Sequence, residues 1–260
     1  MAGPSITDHE INKINLMMKD GWDSYQYVEE FESRFANYHQ RKYCLMTSCC
    51  THAIHLGLLG LNLEKHDEII VPECTWTGSV APVTYLQCKP VFVDISLEDW
   101  CLDYQSVVNA ITEKTKAIIC VDLYGFLPNY SDLENLCKEK NITLIEDAAE
   151  ALGSSKDNKK AGKFGYFSVH SFHRTKTITT GEGGALLTDD HNFYKRCKFL
   201  RDHGRSESIP YYIEEPTPKY MPSNFMGALA CAQLDRIEEL ISIKRNIRDM
   251  YIEELSEMNI

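Results

Sequence analysis

The sequence predicts an α/β protein built on a mostly parallel sheet sandwiched by helices. Two observations carry that prediction. Five short apolar runs, at residues 68–71, 90–94, 117–121, 142–145 and 166–172, are separated through most of the chain by helical stretches at 51–61, 77–86, 104–111 and 131–140. Strands alternating with helices in this way read as strand–helix–strand units, whose strands lie parallel. Within the runs, Val, Ile and Leu follow one another without regular polar partners, as in Ile69-Ile70-Val71 and Ile118-Ile119-Cys120-Val121. A half-wet strand alternates, so continuous runs imply cover on both faces.

The remaining elements follow in order. Thr7 with Glu10 three positions later is a capping-box signature, so a helix is expected from there. Residues 27–38 form a second amphipathic helix. The small-residue turn Thr47-Ser48-Cys49-Cys50-Thr51 opens the helix at 51–61, and the strand at 68–71 runs into Pro72-Glu73-Cys74-Thr75-Trp76. The run at 166–172 leads through Lys176 to a glycine-rich bend and a further apolar segment, Ala185-Leu186-Leu187-Thr188. Beyond Asp189 the pattern is mainly helical. Leu229, Leu234, Ile237, Leu240, Ile241 and Ile247 share helical spacing, so one long helix is expected over 225–258. It reaches Ile260 with no glycine or cap, the pattern of a helix cut rather than completed.

Composition excludes several classes. A net charge of -11, with acids and bases interspersed, is opposite to the clustered basic footprint of a nucleic-acid surface. Ten cysteines suggest disulfides, but Cys44, Cys88, Cys120, Cys137 and Cys231 lie in apolar or amphipathic stretches, where free cysteine behaves as a small hydrophobe. The first five residues carry neither a basic nor an apolar export region, and no apolar run reaches membrane-spanning length. A cytoplasmic, reducing compartment is expected. Cys49-Cys50 are adjacent rather than spaced like ligands, so no metal site is expected.

Chemistry concentrates in two places. Lys176 lies in Ser171-Phe172-His173-Arg174-Thr175-Lys176, between an apolar strand and Gly181-Glu182-Gly183-Gly184. It reads either as a solvated surface lysine or as an amine partly desolvated at a sheet edge, able to attack an aldehyde. Asp147 ends the run Ile142-Thr143-Leu144-Ile145-Glu146-Asp147; it reads as a helix N-cap or as a carboxylate facing a cationic ring nitrogen. A Schiff-base lysine and a carboxylate paired with a pyridinium nitrogen are what pyridoxal 5′-phosphate requires of its protein. Glu150 is placed either on the surface or near the ring hydroxyl. The turn before residue 51 suits ordinary capping or a phosphate at a helix N-terminus. Trp76 suits core packing or stacking on a flat ring. No GxxxxGK or GxGxxG loop occurs, which disfavours nucleotide triphosphate hydrolysis and dinucleotide binding.

In combination these motifs resemble the DegT/DnrJ/EryC1/StrS sugar-nucleotide aminotransferases. The match runs from Gly3-Pro4-Ser5 through Pro72-Glu73-Cys74-Thr75-Trp76, Val121-Asp122-Leu123-Tyr124-Gly125, Glu146-Asp147-Ala148-Ala149-Glu150 and the Lys176 segment to Leu200-Arg201-Asp202-His203-Gly204 and Gln233-Leu234-Asp235. The resemblance implies the type I fold of pyridoxal-phosphate enzymes, with a seven-stranded sheet. It implies Lys176 as the cofactor lysine, Asp147 at the pyridine nitrogen, Trp76 stacked on the ring and Glu150 near its hydroxyl. It places Ser171, Cys50 and Thr51 around the phosphate, and Lys219 as a cation reaching the phosphate of a neighbouring subunit.

The activity implied is amino transfer from L-glutamate to a nucleotide-linked 4-keto-6-deoxy sugar, giving a perosamine- or viosamine-type 4-amino-4,6-dideoxy sugar. A homodimer with shared active sites is implied, with neither nucleic acid nor membrane as partner. Family members with histidine at the lysine position are dehydratases, so lysine at 176 favours transamination. Two departures motivate a rival reading as a catalytically impaired or regulatory protein. Cys50 and His52 stand where glycine or alanine is usual, and the family continues beyond residue 260. The implied division is an N-terminal arm at 1–25, a large cofactor-binding domain at 26–225, and a helix at 226–260 leading to an incomplete small domain.

Overall fold

The computed structural model describes residues 5–256, so Gly3, Pro4 and the expected helix end at 257–260 lie outside the described residues. The chain begins with helices α1 (Asp8–Asp20) and α2 (Gln26–Tyr38) and strand β1 (Tyr43–Thr47). Helix and strand then alternate through α3 (Cys50–Gly60), β2 (Glu68–Pro72), α4 (Thr77–Tyr85), β3 (Lys89–Val93), α5 (Tyr104–Ala110), β4 (Thr115–Val121), α6 (Tyr130–Lys140) and β5 (Thr143–Asp147). A small hairpin, β6 (Ser155–Lys156) and β7 (Lys159–Lys160), precedes β8 (Phe167–Ser171) and β9 (Gly184–Thr188). Helices α7 (His191–Arg201), α8 (Asn224–Asp235) and α9 (Ile237–Leu255) follow.

Seven strands join in the order β1-β9-β8-β5-β4-β2-β3. The pairs β3–β2, β2–β4, β4–β5 and β5–β8 are parallel, as expected. β9 returns antiparallel to β8, and β1 is antiparallel to β9. Residues 172–183 join β8 to β9 without a helix, and a parallel return needs a long crossover, so the chain reverses there.

Successive residues of the central strands feed opposite faces of the sheet. Ile69, Val71, Ile119, Ile145 and Val169 enter one apolar core, whereas Ile70, Ile118, Cys120 and Leu144 enter another. Cover on both faces explains the unbroken apolar runs. β3 departs from that expectation: it is an edge strand, and Phe92 is exposed. On the first face α3 lies close to β8. A Cβ on Gly57 would sit 2.4 Å from the Phe167 ring, so only glycine permits this approach.

The single helix expected over 225–258 is two helices, broken at Arg236, whose backbone leaves the helical region (φ -108°, ψ 10°). The cause is tertiary. The Arg236 guanidinium reaches the buried Glu10 at 2.8 Å, Ser5 Oγ at 2.9 Å and Glu239 at 2.8 Å. The expected capping box is present at Thr7 and Glu10. Burial alone would raise the Glu10 carboxyl, but hydrogen bonds from Thr7, Arg236 and Gln233 hold it down at about 2. A depressed carboxyl stabilises the fold fully above its unfolded value near 4.5, and that contribution disappears as pH falls toward 2. Urea midpoints measured between pH 5 and pH 2.5 are expected to fall less steeply in Glu10→Gln than in the native chain.

All ten cysteines are free, and Cys44, Cys88, Cys120, Cys137 and Cys231 are buried, in keeping with their reading as small hydrophobes. Among the described residues no helix is long and apolar enough to cross a membrane.

Candidate active site

The C-terminal ends of the parallel strands converge on one cavity, where open α/β sheets hold their ligands. It encloses about 390 Å³ and is lined by Thr75 beyond β2, Val121 of β4, Asp147 of β5 and Ser171 of β8. Lys176 and Trp76 line the same cavity, as do Cys50, Thr51 and Glu150. Of the sequence-derived residues, Lys219 alone lies elsewhere.

Asp147 is the last residue of β5 and is 2% exposed. Residues 148–154 form turns, so Asp147 is not the N-cap of a helix. Its Oδ2 accepts a hydrogen bond from Ser79 Oγ at 2.7 Å, and its Oδ1 accepts one from the Ala149 N–H at 3.1 Å. Burial pushes the carboxyl above the usual aspartate range, while Ser79, Ala149 and the nearby Lys176 charge oppose that rise. A cationic group at the open side of this carboxyl would be strongly favoured, because it restores what burial removes.

Lys176 stands on a loop held in place along its length. The Thr180 N–H and Thr179 Oγ1 both donate to the Phe172 carbonyl, and the Arg174 N–H donates to the Gly181 carbonyl. From outside, the Thr179 N–H donates to the buried Gln233 of α8 at 3.1 Å. Gly181 takes φ +83°, a conformation glycine adopts without strain. The Lys176 ammonium meets Glu150 Oε1 at 3.0 Å, and Glu150 Oε2 accepts the Tyr124 N–H at 3.0 Å. Glu150 is therefore not an idle surface acid; it ties Lys176 to the loop after β4.

Trp76 is 79% exposed, so it is not a core residue, and its ring edges the cavity. Opposite it, α3 begins at Cys50 with no side-chain cap from Cys49, leaving first-turn N–H groups available. Two glycines keep this end open. A Cβ on Gly184 would lie 2.5 Å from the Cys50 nitrogen, and one on Gly78 would lie 2.9 Å from Thr51 Oγ1. The Cys50 thiol is pushed well above its ordinary range by burial, with Asp147 adding to the effect, so it is a packing group rather than a nucleophile. Gly184→Ala is expected to displace the α3 N-terminus and weaken phosphate-ester binding at least about tenfold, in line with the loss of a charge-assisted hydrogen bond, as read by equilibrium dialysis.

Lys219 pairs with Asp202 at 2.9 Å, outside the cavity. Its expected place is at a neighbouring subunit. Ser79, the hydrogen-bond partner of Asp147, has as its only sequence signal a position three residues after Trp76 in a Thr-Gly-Ser helix start. A second cavity of about 800 Å³ adjoins the first and shares Glu150, Ser171 and Lys176 with it. Its far wall carries Lys156, Lys244, Arg245 and Arg248.

The model of the DegT/DnrJ/EryC1/StrS aminotransferase family matches residues 4–260. The chain belongs to this family. Among family relatives, it is 38% identical over 250 residues to the GDP-perosamine synthase of Escherichia coli O157:H7, covering 95% of this chain and 69% of that one. A Streptococcus pneumoniae protein solved in its PLP form superposes with a TM-score of 0.93 at 31% identity, covering 98% of this chain and 71% of that one. The Escherichia coli GDP-4-keto-6-deoxy-D-mannose-3-dehydratase with bound hydrated PLP gives a TM-score of 0.92 at 27% identity, covering 99% and 74%. The chain thus spans about seven-tenths of the length of these relatives. The fold of these pyridoxal-phosphate proteins is the one the sequence predicted.

Proposed function

We propose that this chain binds pyridoxal 5′-phosphate at Lys176 and transfers an amino group from L-glutamate to a nucleotide-linked 4-keto-6-deoxy sugar. The observation that carries the reading is the convergence of Lys176, Asp147 and Trp76 on one cavity that also contains an uncapped helix N-terminus. The residues fit the cofactor group by group. The α3 N–H groups and Ser171 suit its phosphate, Asp147 suits a protonated ring nitrogen, and the exposed Trp76 ring suits its face. When bound, the cofactor supplies an aldehyde for covalent capture of an amine and a cationic ring that accepts the electrons of a breaking C–H bond.

The residues then divide the work. Asp147, dry and hydrogen-bonded by Ser79, keeps the ring nitrogen protonated. Lys176 is the base that removes the proton from the donor's α-carbon and the acid that returns it at the cofactor's C4′. The Glu150 carboxylate at 3.0 Å positions Lys176 in the cavity, and the neutral amine that attack requires forms by release of the proton to solvent. The second cavity adjoins Lys176, and its four cationic side chains supply the charge a nucleotide diphosphate requires. That supports a sugar nucleotide as acceptor, of the perosamine type by likeness to the E. coli synthase. A homodimer working in the cytoplasm is part of the same proposal.

Lysine at 176 favours transamination over the dehydration catalysed by the structurally similar E. coli enzyme. The test is a single-turnover incubation of the cofactor-loaded chain with L-glutamate, followed by a panel of 4-keto-6-deoxy sugar nucleotides. Release of one 2-oxoglutarate per site and an aminated sugar is expected. No 2-oxoglutarate, or a deoxygenated sugar without nitrogen, would overturn the reading.

A further inference from the structure

Away from the catalytic cavity, a separate pocket of about 320 Å³ lies between α2, β1 and α7. β1 is an edge strand, and among the described residues no strand pairs with its outer side. Two side chains substitute for one there. Glu32 Oε1 accepts the Met46 N–H at 2.8 Å, and Arg201 Nη1 donates to the Met46 carbonyl at 2.7 Å. Arg201 Nη1 also pairs with Glu32.

This clasp uses only one nitrogen of a guanidinium that is 5% exposed at the side chain. Arg201 Nε is buried without a hydrogen-bond partner. A buried, unpaired donor on a cation is costly, and native structures supply such groups with a partner. Nε is too enclosed to meet a ligand in the pocket, but Nη2 makes no hydrogen bond among the described residues and is the guanidinium nitrogen left for one. Three other donors of the pocket are also unspent, although the Tyr43 hydroxyl is engaged by His191. Lys42 and Lys198 line it, and neither ammonium has an ion-pair or hydrogen-bond partner among the described residues. Tyr194 lines it too, its ring stacked on Tyr43 at 4.5 Å, and its hydroxyl makes no hydrogen bond there. Tyr194, Lys198 and Arg201 fall on one face of α7 at helical spacing. Opposite charge comes from Glu32, already engaged by Met46 and Arg201, and from Glu29 on α2.

We infer that this pocket is a binding site for a small oxyanion, a carboxylate or phosphate group, gripped by Arg201 Nη2 with Lys42, Lys198 and the Tyr194 hydroxyl. Guanidinium and ammonium N–H groups make charge-assisted hydrogen bonds to such oxygens. The volume suits an amino-acid-sized or phosphate-ester ligand. The site is separate from the catalytic one but touches the strand that leads, through residues 47–49, into the α3 N-terminus.

The test is isothermal titration of the chain pre-equilibrated with pyridoxal phosphate, using inorganic phosphate and, separately, succinate. At least one probe is expected to bind at a single site. The Lys42→Ala/Lys198→Ala double variant is expected to weaken it about tenfold or more, as loss of charge-assisted hydrogen bonds implies. Arg201→Lys, which keeps the charge beside Glu32 but not the fork, is expected to weaken it as well. Binding of phosphate alone assigns a phosphate ester, and binding of succinate alone assigns a carboxylate. No binding of either probe, or equal affinity in the surface-lysine double variant, overturns the inference.

Discussion

Lys176→Ala is expected to abolish both the visible absorbance of the cofactor-loaded chain and its amino transfer, while the fold survives. The side chain contributes no hydrogen bond to the loop that carries it. That loop is fastened by backbone groups, by Thr179 and by Gln233, none of which the substitution touches. Stability measured by thermal unfolding without cofactor should therefore change little. Chemistry should fail twice over, through loss of the covalent anchor and of the group that moves the proton. General acid–base catalysis alone is worth roughly 10²–10⁴-fold, so a fall of at least about 10⁴-fold in kcat is expected from the two together. A side chain engaged only with Glu150 on the surface would give a spectrum and rate close to those of the native chain.

Asp147→Asn separates binding from chemistry. Asparagine fills the same volume; its carbonyl oxygen can keep the bond from the Ala149 N–H, and its NH2 can donate to the Ser79 hydroxyl in place of the bond that Ser79 gave. What it removes is the charge. Burial already opposes that charge, so it is retained against a desolvation penalty, and a cationic ring nitrogen is the partner that makes this worthwhile. Cofactor binding is expected to weaken modestly, because the phosphate contacts at α3 and the Trp76 face remain. Amino transfer is expected to fall on the order of 10²–10³-fold, the range found when one preorganised electrostatic group is removed. Because the uncharged residue relieves a desolvation penalty, the empty variant should be at least as stable as the native chain in urea. Near-native turnover in Asp147→Asn would remove the ring nitrogen from the mechanism.

The sheet was legible where strands are covered on both faces, because continuous Val, Ile and Leu leave little else for those residues to form. It was not legible at β1. Five residues, Tyr43–Thr47, carry no turn signal of their own, and their strand character comes from register with β9. The break at Arg236 was hidden for a similar reason. Neither glycine nor proline marks it, and its cause is a buried acid at Glu10, at the other end of the chain. The proposed catalytic pair was legible because strand ends punctuate the sequence: Asp147 closes one apolar run and Lys176 follows another. Ser79 was not, since a serine in the first turn of a helix usually serves the helix. Its role depends on α4 placing that turn beneath the end of β5, which only the fold decides.

Borohydride reduction of the chain with bound pyridoxal phosphate, followed by peptide mass mapping, tests the central claim most directly. A single phosphopyridoxyl group is expected, on the peptide that contains Lys176. Attachment at another lysine, or a chain that takes up no label at all, would contradict the assignment of this cavity as the site of amino transfer.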